Sequence, residues 1–199
     1  MSDADDMTAM THAPITQDAE VLLEGFLALD TPEGFRAELI EGEIVVTPPP
    51  DGDHENYINK IVKQIIRRSR TDMDFSGNKG LTLQQVPNAA RNHVIPDCTL
   101  ASAELNLFEG AGSWMPCDGV AMVLEVTSTR PHADRETKRR CYAQGGISLY
   151  LLVDRDTSSL TLFTDPGRGD YRERHTVPFG KPLPLPEPFG FDLETAEFL

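Results

Sequence analysis

The sequence predicts an α/β fold, with a mixed β-sheet flanked by helices. Three observations predict it. Ile58, Ile61, Val62, Ile65 and Ile66 recur at i, i+3, i+4, i+7 and i+8, the spacing of one helical face. Two nearly continuous apolar runs, Val120 to Val126 and Ile147 to Val153, have the character of central strands buried on both faces. Two β-prone runs flank Glu41-Gly42, a two-residue turn of the kind that closes a hairpin.

The elements follow in order. Residues 1–16 are polar and acidic and predict a disordered tail, leaving 17–199 as one domain. Residues 19–29 suit a short helix, and the Ala37 to Val46 hairpin comes next. Pro48-Pro49-Pro50 ends it, and Asp51 or Asp53 caps a helix from about His54 to Arg70. Strands are expected at 81–86 and 92–101, a glycine-rich loop at 104–117, then the strand at 120–126. After a loop at 127–133, a helix at 134–144 stops at Gly145-Gly146. Strands at 147–153, 160–164 and 171–177 complete an antiparallel ending, and the Pro-rich 182–188 is extended. From the hairpin onward the order is β-β-α-β-β-β-α-β-β-β, which gives a mixed sheet with a helix on each side.

At 199 residues the chain fits one domain with tails, long enough to bury a core without disulfides. Cys98, Cys117 and Cys141 are odd in number and match no zinc spacing, so buried thiols are expected. No apolar run reaches the length of a membrane span, and the N-terminus lacks a signal-peptide pattern. A cytoplasmic protein without a membrane partner is the expectation. The net charge of −14 argues against nucleic-acid binding by the whole surface. The charge is uneven, however. Met1 to Phe35 holds eight acids and no Lys or Arg. Bases cluster at Lys60, Lys63, Arg67, Arg68 and Arg70, and again at Arg135, Lys138, Arg139 and Arg140, so a local basic face is compatible with an acidic protein.

Two acids stand where acids are costly. Asp97 follows Val94-Ile95-Pro96, and Glu125 is embedded in Met122-Val123-Leu124 and Val126. A carboxylate in such a place must be solvated, paired or bound to a cation. Two carboxylates on adjacent strands repel each other unless a divalent cation lies between them, and Mg²⁺ favours one or two carboxylates with water and phosphate oxygens. Strand-end acids paired with arginine or capping backbone groups are the plainer alternative. Lys138 shares a helical face with Cys141 and Tyr142, the inward side. There it would stabilise charge on a phosphoryl group or orient water; on a half-buried face it would otherwise snorkel to solvent. His54 is as well placed for capping or core packing as for a site. His12, His93, His132 and His175 show no metal spacing.

The residues also carry a resemblance. Glu38-Leu-Ile-Glu-Gly-Glu, His54 opening a helix, Ile95-Pro96-Asp97, Leu124-Glu125-Val126-Thr127-Ser128, Asp134-Arg135 with Lys138 and Tyr142, and Gly146-Ile147 to Asp154 occur in that order. From about Ala19 to the C-terminus the chain resembles the Uma-two endonuclease family, which looks like a branch of the PD-(D/E)xK, restriction-endonuclease-like superfamily. The resemblance implies a restriction-endonuclease-like mixed sheet. It implies that Asp97 is the metal-binding acid of the PD element and Glu125 that of (D/E)xK. Glu38 becomes an additional acid and the Val126 carbonyl a further metal ligand. The lysine two residues after the acid is replaced here by Thr127, and Lys138 on the following helix takes its place. The implied activity is Mg²⁺-dependent hydrolysis of DNA, with Mn²⁺ as a substitute. A double-strand cut needs two centres, which points to a homodimer. The rival expectation is a catalytically inactive module that keeps the fold and binds a protein or nucleic acid.

Overall fold

The computed structural model describes residues 17–83, 91–127 and 132–199. Glu41 and Gly42 turn the chain with φ of 51° and 86°. Positive φ at both central residues matches the twist of the flanking strands. They join β1 (Arg36–Ile40) to β2 (Glu43–Thr47), with Leu39 opposite Ile44. Alternation along β1 then sends side chains to two faces. Leu39 packs on Ala19 and Phe26 of α1 (Gln17–Leu27), whereas Arg36, Glu38 and Ile40 line a cavity.

Asp51 caps α2 (Gly52–Arg68), its side chain accepting the His54 N–H at 2.7 Å. The helix ends two residues before the expected Arg70, where the Ser69 N–H returns to the Ile65 carbonyl. Ile61, Val62 and Ile65 are buried as the periodicity predicts, but Ile66 has rolled off the stripe and is 47% exposed.

The expected strand at 92–101 is two strands in two sheets. β5 (His93–Val94) pairs with β1 and with β4 (Gly80–Thr82). β6 (Cys98–Ser102) pairs with β3 (Met73–Gly77) and β8 (Val120–Val126). Pro96 lacks an N–H and cannot continue a ladder, so Ile95-Pro96-Asp97 is where the chain crosses from one sheet to the other. With β7 (Trp114–Pro116), the first sheet runs β2-β1-β5-β4-β7. With β9 (Leu149–Asp154), β10 (Ser159–Pro166) and β11 (Tyr171–Pro178), the second runs β11-β10-β9-β8-β6-β3. Both are mixed, through the parallel pairs β4–β7 and β8–β9. β7 falls inside the expected loop at 104–117. Residues 84–86 of the expected strand at 81–86, and the whole tail 1–16, lie outside the described residues.

The helix expected at 134–144 has two parts. Ala133–Lys138 is π-helical, and α3 (Arg139–Gln144) continues it to a turn with Gly146 at φ 75°. Met122, Leu124 and Val126 of β8 face α2 in one core cluster, while Val123 joins Tyr142, Tyr150 and Leu152 in another. By alternation Glu125 lies on the Val123 side. The Pro-rich segment contributes β12 (Leu183–Leu185), paired with β13 (Phe191–Leu193). Its leucines, with Phe189 and Phe198, complete the core under α2. Among the described residues, no helix is long and apolar enough to cross a membrane.

Gly80 marks the tightest strand contact. A Cβ there would stand 2.5 Å from the Ser113 carbonyl oxygen and 2.6 Å from the Trp114 ring. The backbone carbonyl cannot yield as a side-chain tip would. Gly80→Ala is expected to lower stability by about 2–3 kcal/mol in urea denaturation, the cost of overpacking.

Candidate active site

The cavity lies where the two sheets meet, encloses about 930 Å³, and is lined by Glu38, Asp97, Glu125, Val126 and Lys138 together. These residues come from β1, the inter-sheet link, β8 and the π-helical segment. Each acid is held differently. Asp97 is 7% exposed, and its Oδ2 accepts the Val126 N–H at 2.9 Å and His54 Nε2 at 2.9 Å. Its Oδ1 lies 3.4 Å from Arg36 Nη1. Glu125 accepts from Lys138 Nζ at 3.0 Å and from the Tyr142 hydroxyl. Glu38 accepts the Ile95 N–H at 2.7 Å and lies 3.0 Å from Lys138 Nζ. Val126 therefore meets the site through its N–H, while the expected metal contact is its carbonyl.

Lys138 does not snorkel. It is 7% exposed and its ammonium bridges Glu38 and Glu125, with the Ile95 carbonyl at 3.5 Å. Burial pushes its pKa down, but Glu125, Glu38, Asp134 and Asp97 outweigh that and hold it well above the ordinary lysine value. Burial drives the Glu125 carboxyl well above the usual range; Lys138 opposes this, and Asp97, Asp134 and Glu38 add to it. Asp97 goes the other way. Burial raises it, yet the His54 hydrogen bond and charge, the Lys138 charge and the Val126 N–H bring it to about 2. Neighbouring carboxylates whose environments push them apart are a mark of functional sites.

Thr127, at the usual lysine position, is buried, and its Oγ1 accepts the Arg155 N–H at 2.9 Å. It is thus committed to the backbone. The sequence reasoning left out Arg36, Asp134 and Arg155 as site residues, and all three line the cavity. The signal for Arg36 was present, since it shares the β1 face with Glu38. His54, whose role was open, is now placed: it supports Asp97 from the first turn of α2.

The donor set is all oxygen and more acidic than basic, which suits a hard divalent cation. Among the described residues no three His, Cys, Asp or Glu side chains are grouped as a ready-made cage. Mg²⁺ needs only one or two carboxylates, with water filling the remainder.

The basic clusters are largely spent on structure. Lys60 caps the Glu197 carbonyl, Arg68 stacks on Phe191 at 4.9 Å, and Arg70 pairs with Glu187. Arg135 pairs with Asp154 and Asp156, Arg139 with Asp170, and Arg140 with Glu41 and, at 4.0 Å, with Glu136. Lys63 and Arg67 remain exposed on α2. His93 packs between Phe26 and Trp114, and His132 and His175 are exposed; none of the three lines the cavity, and His12 lies outside the described residues. Cys98, Cys117 and Cys141 are buried, as expected.

Mixed sheets that meet over converging acids and a lysine, flanked by helices, define a nuclease-type α/β fold of the restriction-endonuclease-like class. The chain belongs to the Uma2 family, described as "Putative restriction endonuclease", whose model matches residues 23–196. A crystal structure from Anabaena variabilis ATCC 29413, described as a putative nuclease belonging to DUF820, shares the fold. It matches with a TM-score of 0.61 and 17% identity, over 86% of this chain and 94% of that one. No curated protein matches the sequence.

Proposed function

We propose that the protein is a Mg²⁺-dependent endonuclease that hydrolyses DNA phosphodiester bonds, with Mn²⁺ able to substitute. The observation that carries this is the convergence of Glu38, Asp97, Glu125 and Lys138 on one cavity in a chain of this family. Asp97 and Glu125, with the Val126 carbonyl, would hold the ion. When bound, it supplies Lewis-acid polarisation of the phosphate and a lowered pKa for the attacking water.

The chain's own groups do the remainder. His54 and the Val126 N–H hold Asp97 Oδ2, leaving Oδ1 directed to the Arg36 side. Tyr142 fixes the Glu125 rotamer by donating to the oxygen that Lys138 also holds. Lys138, anchored on Glu38 and Glu125, would exchange its long 3.5 Å contact with the Ile95 carbonyl for water or a phosphoryl oxygen as negative charge grows there. Glu38 orients that lysine and is the acid placed to take a proton from the incoming water. Arg36 and Arg155 line the cavity and suit an anionic backbone. Two copies would be needed for a double-strand cut, so a homodimer working in the cytoplasm is part of this reading.

The test is cleavage of supercoiled plasmid with Mg²⁺ or Mn²⁺ against an EDTA control. Asp97→Ala and Glu125→Ala are each expected to reduce the rate on the order of 10²–10³-fold or more, as when one transition-state-stabilising group is removed. Cutting that survives both substitutions overturns the reading. One observation favours the rival inactive module: Lys138 already occupies an oxygen of both Glu38 and Glu125. That module requires that no Mn²⁺ binds, and calorimetry separates the two.

A further inference from the structure

Four of the acids that line the cavity are buried, and three of these are satisfied by the protein. Asp97 has His54 and Val126, Glu125 has Lys138 and Tyr142, and Glu38 has Ile95 and Lys138. The fourth, Asp134, is different. It is 7% exposed and lines the same cavity. Among the described residues its carboxylate has no hydrogen bond and no ion pair.

Its placement is nonetheless fixed. It stands at the start of the π-helical segment Ala133–Lys138, one turn before Lys138. Its carbonyl accepts the Tyr150 hydroxyl at 2.8 Å, from a fully buried ring. A π-helical turn re-aims side chains relative to a regular helix and recurs at functional sites. A buried carboxylate without a donor is costly unless it is neutral or meets a cation. Burial, with Asp97 and Glu38 adding to it against Lys138, raises its pKa to about 6.

We propose that Asp134 is a further ligand for a divalent cation of the Mg²⁺ and Mn²⁺ class in this cavity, reached from the helical side. This rests on the metal-site reading above and adds a ligand from outside the acids assigned there. The carboxylate replaces one water of the ion, and no covalent step is involved.

The test is Mn²⁺ titration by calorimetry, with thermal melts in the presence and absence of Mn²⁺, on the full chain and its Asp134→Asn variant at pH 8. The variant is expected to bind Mn²⁺ at least tenfold more weakly, or to lose one of two ions. Without metal it should melt at or above the wild-type temperature, because an unsatisfied charge has gone, and its Mn²⁺-induced shift should shrink. Asp134→Glu, which keeps a carboxylate, should regain most of the binding. An unchanged isotherm in Asp134→Asn overturns the proposal. So does a lower melting temperature without metal together with an unchanged Mn²⁺ shift, which would make Asp134 a partner of Lys138. If Asp97→Ala abolishes Mn²⁺ binding while Asp134→Asn does not alter it, only this proposal fails. A wild-type chain that binds no Mn²⁺ removes the endonuclease reading as well.

Discussion

Lys138→Met should cost about 3–5 kcal/mol of folding stability in metal-free buffer, the range for removing one partner of a buried charge network. The side chain is similar in length, so packing is nearly preserved and the loss is electrostatic. The ammonium is the shared donor for Glu38 and Glu125, both buried, and its removal takes from both the cation that pairs with them. Mn²⁺ should therefore recover much more stability in the variant than in the parent, provided the cavity takes the ion proposed for it. Chemical denaturation with and without Mn²⁺ measures both quantities. A variant as stable as the parent in EDTA would mean that the acids are neutral in the native state. On the proposed function, cleavage should fall with Lys138 removed even where Mn²⁺ has restored the fold, since a bound ion does not replace the N–H donor proposed for the phosphoryl oxygen.

Tyr150→Ala is expected to be as damaging by another route. Tyr150 is fully buried, stacked on Phe163 at 5.4 Å between centroids and tilted against Tyr142 at 5.2 Å. Truncating a buried aromatic of this kind costs about 3–5 kcal/mol. Tyr150→Phe isolates the hydroxyl. It retains the stack and removes only the hydrogen bond to the Asp134 carbonyl, a loss of about 1 kcal/mol. A pair of urea titrations separates the two contributions.

Much of the fold was legible because its signals are local and strong. The isoleucine stripe of α2, the apolar β8 and β9 and the Glu41-Gly42 turn need no tertiary information. The division into two sheets was hidden because Val94 to Leu100 has the character of one strand, and only Pro96 marks the crossing. β3 was missed because it is short and mostly exposed, so it carries no apolar alternation. β7 is three residues long and is made a strand by its parallel neighbour β4. The C-terminal hairpin did leave a trace, since Leu183 and Leu185 alternate with Pro184 and Pro186, but the prolines masked it.

The candidate site was partly legible for a related reason. Asp97 and Glu125 stood out as acids among apolar residues, and Lys138 as a base on an inward face. Asp134 looked like an ordinary first-turn acid, because nothing in the sequence announces a π-helical turn. His54 looked like a capping neighbour of Asp51, and that remains true of its backbone. Its ring on Asp97 depends on how α2 packs against β8, which local pattern does not record.

The C-terminal hairpin has a consequence for the order in which the protein comes to exist. Glu38, Asp97, Glu125, Asp134 and Lys138 all precede Tyr142, yet the core beneath α2 is closed by Leu183, Leu185, Phe189, Leu193 and Phe198. A ribosome delivers the acids and the lysine well before it delivers the residues that press α2, and with it His54, against the second sheet. A chain still being translated, or one cut short by a premature stop, thus carries the chemical groups without the architecture that aligns them. The activity proposed above would in this way be withheld until the C-terminal hairpin is made.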